Sequence, residues 1–308
     1  MVRASGRSRE RNPLPGGAVE KMRPVRLCPL CRRLFMPFLR VRDVRLHYEL
    51  DGPSGPATPS PPRVPLVLLH GLGSSTRDWQ PQVKHFSQKR RVLALDLRGH
   101  GRSSKPPGPY AISLFAGDVA DAARRLLPGA VETGEGVHVA GLSMGGMVAL
   151  QLALDAPALL RSLTVVNAGV DYRPKTRRQR RLLWQRRAAL RVLSVRRIGW
   201  LLGRRLFPDR PDLQREMTAR WAQNDPAVYR ASFEAIVDWN ARARLPEIST
   251  PTLVAAAEED YLPLSAYRAY AGRIPRAEVA VLENARHAAP VAQPEAFNAV
   301  LSAFLERF

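Results

Sequence analysis

Ser143 stands in "GLSMG" (141–145), a G-x-S-x-G pattern whose sharp turn lifts a serine hydroxyl clear of a strand end. Gly141 and Gly145 suit such a turn, because bulk at either position would be driven into the contact between strand and following helix. A neutral hydroxyl attacks a carbonyl poorly unless a base takes its proton, and that base is usually a histidine oriented by a carboxylate. The chemistry in view is nucleophilic acyl transfer.

On this kind of turn the partners follow in the order serine, acid, histidine. His47, His70, His85, His100 and His138 all precede Ser143, which leaves His287, in "ENARHAAP", as the base. Asp260 is the expected acid, placed where an apolar run opens into "YLPLSAY"; Asp171 is the fallback, and Glu258 and Glu259 read as solvated. A tetrahedral oxyanion also needs two backbone N–H donors. Met144, next after the nucleophile, supplies one, and Leu72 in "HGLGSS" is expected to supply the other. His70 reads as shaping that loop, and Asp96, His100 and His138 as structural.

These residues need elements to hold them. "VPLVLLHG" (64–71), "RRVLALDLRGHGRSS" (90–104), "GVHVAG" (136–141), "LTVVNAG" (163–169), "TLVAAAEED" (252–260) and "EVAVLEN" (278–284) read as strands running into turns. They are rich in Val, Leu and Ala without polar alternation, which signals burial on both faces. Helical stretches at 112–127, after Ser143, at 265–274 and at 294–308 provide the crossovers of a parallel sheet. "FLRVRDVRLHYEL" (38–50) reads as a hairpin turning near Asp43, and "GPSGPATPSPPR" (52–63) as a Pro/Gly loop. The fold class is therefore α/β, a mostly parallel twisted sheet flanked by helices. The uncharged run Gly136–Leu154 resolves into strand, turn and helix; a bilayer span would need about 20 helical residues, and Gly145 and Gly146 would be costly there.

Together "HGLG" (70–73), "DLRGHGRS" (96–103), "GLSMGG" (141–146), Asp260 and "RH" (286–287) resemble the α/β-hydrolase superfamily, in its lid-bearing esterase and lipase-like branch. The likeness covers about residues 36–308. It implies a cofactor-independent serine hydrolase with a lid after the sixth strand, where residues 171–245 lie. Relatives that remove halogens or open epoxides carry aspartate at the turn, so Ser143 argues against both. Arg286 departs from the glycine that commonly precedes the histidine, and a cation there would oppose protonation of His287.

The formal charge of +21 is concentrated. Residues 1–35 carry net +7 and residues 171–245 net +12, leaving the rest near neutral. The first segment reads as a basic tail or a start set too far upstream. The second breaks the strand–helix rhythm with about 75 residues of helical, arginine- and tryptophan-bearing sequence, as an inserted lid would. Projected as one helix, "RRQRRLLWQRRAALRVLSVRRIGWLLGRRLF" (177–207) does not separate into clean faces, because Arg186 and Arg197 fall among leucines. That favours a lid whose apolar residues line an acyl pocket over a membrane-surface helix. No nucleic-acid motif accompanies either basic segment, so no nucleic-acid partner is expected. Cys28 and Cys31 form a lone C-x-x-C without a second ligand pair, so no metal site is expected, and the low cysteine count fits a reducing, cytoplasmic setting.

The expected activity is cleavage of a carboxylic ester in a small-molecule acyl substrate, through an acyl-enzyme and with no cofactor. Thioesterase, lactonase and carbon–carbon bond hydrolase activities would use the same triad. An inert hydrolase fold docking through its basic cap is the rival outside enzymes.

Overall fold

The computed structural model describes residues 37–53 and 63–308. The basic tail with Cys28 and Cys31, and most of the Pro/Gly loop, lie outside those residues. Eight strands form one sheet: β1 (Phe38–Val41), β2 (Val44–Asp51), β3 (Arg63–Leu69), β4 (Arg90–Leu95), β5 (Val137–Leu142), β6 (Leu160–Val166), β7 (Thr252–Ala257) and β8 (Ala277–Leu282). Their spatial order is β1-β2-β4-β3-β5-β6-β7-β8. β1 and β2 form the hairpin expected around Asp43, β2 pairs antiparallel with β4, and every pairing from β4 to β8 is parallel.

The strand sequences explain the layering. Side chains alternate between faces along a strand, so an unbroken apolar run feeds two cores at once. Val67, Leu69, Val139, Val165, Val254 and Ala256 enter one core. Leu66, Leu68, Ala140, Val166, Leu253 and Ala255 enter the other. The first core is closed by helices α2 (Ile112–Leu126), α4 (Met144–Asp155) and α9 (Leu264–Ala271); α3 (Pro128–Glu132) follows α2. The second is closed by α1 (Gln80–Phe86) and α11 (Pro294–Leu305), the latter preceded by the short α10 (Ala289–Ala292). Helix α4 is apolar nearly all round because it is enclosed, with Met144 through Leu150 buried. That enclosure, not a bilayer, accounts for the uncharged run.

Between β6 and β7 the chain inserts four helices: α5 (Arg177–Val192), α6 (Val195–Leu206), α7 (Pro211–Trp221) and α8 (Pro226–Asp238). The insertion's ends meet where Asp171 bridges Asn240 and the Ala241 N–H donates to the Val170 carbonyl at 3.0 Å. Thr176 and Gln179 cap α5 reciprocally, and Ser194 caps α6 anew. The run 177–207 is thus two helices broken at Leu193–Ser194, and a single projection mixes faces that point in different directions. No residue of α5 is fully buried, but Leu190 and Leu193 pack, with Leu72 of the 70–73 loop, against Val195, Ile198 and Tyr229. In α6, by contrast, Val195, Ile198 and Leu206 are buried.

Candidate active site

The turn at Ser143 is built by close backbone approach. Ser143 joins β5 to α4 with φ 55° and ψ −115°, a conformation a side-chain-bearing residue adopts only under constraint. Its N–H donates to the Val166 carbonyl at 2.8 Å, tying it to the end of β6. A methyl group on Gly145 would stand 2.2 Å from the Leu69 carbonyl oxygen, and one on Gly141 would stand 2.1 Å from that of Gly145. Helix α4 therefore seats on β3 and β5 only because both positions lack a side chain.

Met144 is the first residue of α4, so its N–H has no acceptor within the helix. The 70–73 loop runs against the same point: a methyl group on Gly71 would lie 3.5 Å from Ser143 Cβ, ordinary contact that glycine is not needed to permit. Gly73 differs, with φ 72° and a would-be methyl 2.7 Å from the Tyr229 ring of the insertion. His70 shapes this loop, as its sequence position suggested. Its Nε2 accepts from the Leu97 N–H at 3.0 Å, so Nδ1 carries the proton and donates to the Gly71 carbonyl at 2.7 Å. Burial holds His70 below the ordinary histidine range, hence neutral.

Asp260 follows β7 and His287 follows β8, and His287 Nδ1 lies 2.5 Å from Asp260 Oδ1. Burial alone would raise the Asp260 carboxyl, but hydrogen bonds from His287 and Tyr267, with the His287 charge, hold it below its usual value. The Tyr261 ring covers the imidazole with centroids 4.4 Å apart. Among the described residues no hydrogen bond joins the Ser143 hydroxyl to His287; such bonds frequently tighten only when substrate is present.

The other carboxylates are occupied elsewhere. Asp171 pairs with Arg173 at 3.0 Å and Lys175 at 3.1 Å. Glu258 accepts from the Asn284 N–H at 2.9 Å. Glu259 binds Arg286 at 2.7 Å, which neutralises the cation that departs from the resemblance. Asp96 is a hub of the fold, accepting from the backbone of Thr76 at 2.6 Å and Arg102 at 2.8 Å and lying 3.0 Å from His47 Nδ1. Burial would raise it, yet the His47 contact and these amides bring it down to about 2. His100 and His138 are buried, bonded to the Arg98 carbonyl and the Ser162 hydroxyl respectively, and remote from acid–base duty.

One residue escaped the sequence reading. Asn167, fully buried after β6 with φ 48°, donates from Nδ2 to the His287 carbonyl at 2.8 Å and accepts at Oδ1 from the Ala257 N–H at 2.7 Å. It fastens the histidine loop to the strand ends that carry Ser143 and Asp260. The only local hint was an amide in "VVNAG" interrupting an apolar strand.

Comparison with known proteins gives the family. The alpha/beta hydrolase family model matches residues 66–300. The chain belongs to the alpha/beta hydrolase family. Among curated relatives, a putative carbamate hydrolase RutD of Azorhizobium caulinodans is 31% identical over 281 residues, covering 87% of this chain and 98% of that protein. The 3-oxoadipate enol-lactonase 2 of Acinetobacter baylyi is 30% identical over 282 residues, covering 89% and 98%. Among solved structures of alpha/beta hydrolases, the enol-lactonase of Burkholderia xenovorans superposes with TM-score 0.76 at 25% identity, over 88% of this chain and all of that one. Among the described residues no helix is long and apolar enough to cross a membrane.

Proposed function

We propose that this alpha/beta hydrolase is a serine hydrolase that cleaves carboxylic esters through an acyl-enzyme. The observation that carries the reading is the His287–Asp260 pair at 2.5 Å, held by Asn167 to the strand end that also anchors the strained Ser143. In this account His287 Nε2 takes the proton of the Ser143 hydroxyl as its oxygen attacks the carbonyl. The N–H groups of Met144 and Leu72 receive the oxyanion. His287 then protonates the leaving alcohol, and Asp260 stabilises the imidazolium without being protonated itself. Water activated by His287 releases the acid and restores the hydroxyl. Apart from that water, every proposed step uses groups of this chain, with no metal or cofactor.

Cyclic esters are favoured within this class, since similar proteins are named enol-lactonase and, for a structure at 28% identity, an N-acyl homoserine lactone degrading enzyme. Ring opening is the same reaction, with the leaving alcohol kept on the acyl group. The test is hydrolysis of a panel of p-nitrophenyl esters, thioesters, lactones and carbamates by wild type and Ser143→Ala. Turnover of esters or lactones by wild type alone supports the reading; equal turnover by the variant overturns it.

A further inference from the structure

We propose that the outward face of α5 and α6 docks the protein on an anionic lipid surface. From residue 172 to residue 208 the chain carries thirteen lysines and arginines and not one acid. Arg173 and Lys175 are matched by Asp171, and Arg187 by Glu234. Arg177, Arg180, Arg181, Arg191, Arg197 and Arg204 pair with no carboxylate among the described residues.

The same two helices expose apolar bulk. Trp184 is 68% exposed and Val192 82%, and Leu182, Trp200 and Leu201 are also exposed; apart from Tyr261, these are the large hydrophobics left open to water among the described residues. Residues three, four and seven apart share a helix face, so Arg180, Arg181 and Arg191 surround Trp184. Arg197 and Arg204 flank Trp200 by the same rule, and the Arg204 guanidinium lies 5.0 Å over the Trp200 ring. Thr176 and Ser194 cap the two helices, Leu190 packs against the cluster of Val195, Ile198 and Tyr229, and Arg187 ties α5 to Glu234 of α8.

Cations ringing exposed tryptophan and aliphatic side chains match a lipid headgroup region, where charge meets anionic phosphates and apolar groups enter the acyl boundary. A second copy of the chain would oppose like charge with like. A nucleic-acid backbone would reward the arginines but leave Leu182, Val192 and Leu201 in water.

The test is flotation of the full chain with phosphatidylcholine vesicles, with and without phosphatidylglycerol, while following tryptophan emission. Wild type is expected to prefer the anionic vesicles by at least about tenfold, with a blue shift, and added salt weakens binding. Arg180→Glu/Arg181→Glu and Trp184→Ser/Trp200→Ser should each lower partitioning by at least about tenfold, the latter also removing the blue shift, while far-UV circular dichroism stays unchanged. Indifference to lipid charge overturns the proposal. So does anionic binding that survives both double variants, which would place it on another segment. Binding of duplex DNA as strong as that of vesicles, lost in the arginine variant but kept in the tryptophan variant, assigns the face to nucleic acid instead.

Discussion

His287 and Asp260 stand 27 positions apart in the chain, yet Nδ1 of one lies 2.5 Å from Oδ1 of the other. Parallel pairing of β7 with β8 creates this proximity: both strands end at the same edge, so the loop after each delivers its side chain to one place. In the proposed mechanism, Nδ1 is committed to the carboxylate and Nε2 acts as the base. Asp260→Asn would hold the wrong tautomer, and kcat is expected to fall by about 10³–10⁴ with KM little changed. Steady-state kinetics on the best ester of the panel checks this.

Asn167 is expected to act as a positioning residue. Asn167→Ala removes the bond to the His287 carbonyl and leaves the Ala257 N–H without its partner. Stability should drop by about 1–3 kcal/mol in urea titration. A loss of kcat larger than any change in KM would mark misplacement of the imidazole rather than lost substrate binding.

Gly145→Ala tests the close approach of α4 to β3. The added methyl would meet the Leu69 carbonyl oxygen at 2.2 Å, and a backbone shift is the only relief. We expect destabilisation of about 1–3 kcal/mol or more, read as a lower urea midpoint, together with lower activity because Ser143 moves with the helix.

Much of this was legible beforehand, for identifiable reasons. Buried strands announce themselves as unbroken Val/Leu/Ala runs, and the turn at Ser143 requires glycines at fixed offsets. His287 emerged because the other histidines precede the serine. Asn167 stayed hidden because its role lies in two long-range backbone bonds that no local pattern encodes. The insertion was misread where one helix was assumed: Ser194 looks like any interior serine until its side chain is seen accepting from the Arg197 N–H.

Acid should destabilise the fold through two histidines outside the site. Burial, reinforced by the Arg90 charge for His138, lowers each from 6.5 to about 3. Between those values the unfolded chain binds protons that the folded chain refuses. Stability is therefore full above about pH 6.5 and declines as pH falls toward 3, by about 1.4 kcal/mol per pH unit for each histidine. His138→Gln should remove that residue's own share of the slope in urea titrations across this range, leaving the shares of His100 and of His70, which burial also lowers. An unchanged slope would exclude His138 from the linkage.

The most direct measurement of the central claim is covalent labelling by a fluorophosphonate, located by peptide mass spectrometry in wild type, Ser143→Ala and His287→Ala. The account predicts a single adduct on the peptide bearing Ser143, none in the serine variant, and labelling slowed by at least about 10²-fold without the imidazole. An enzyme that turns over esters while Ser143 remains unlabelled, or labelling at full rate without His287, would contradict it.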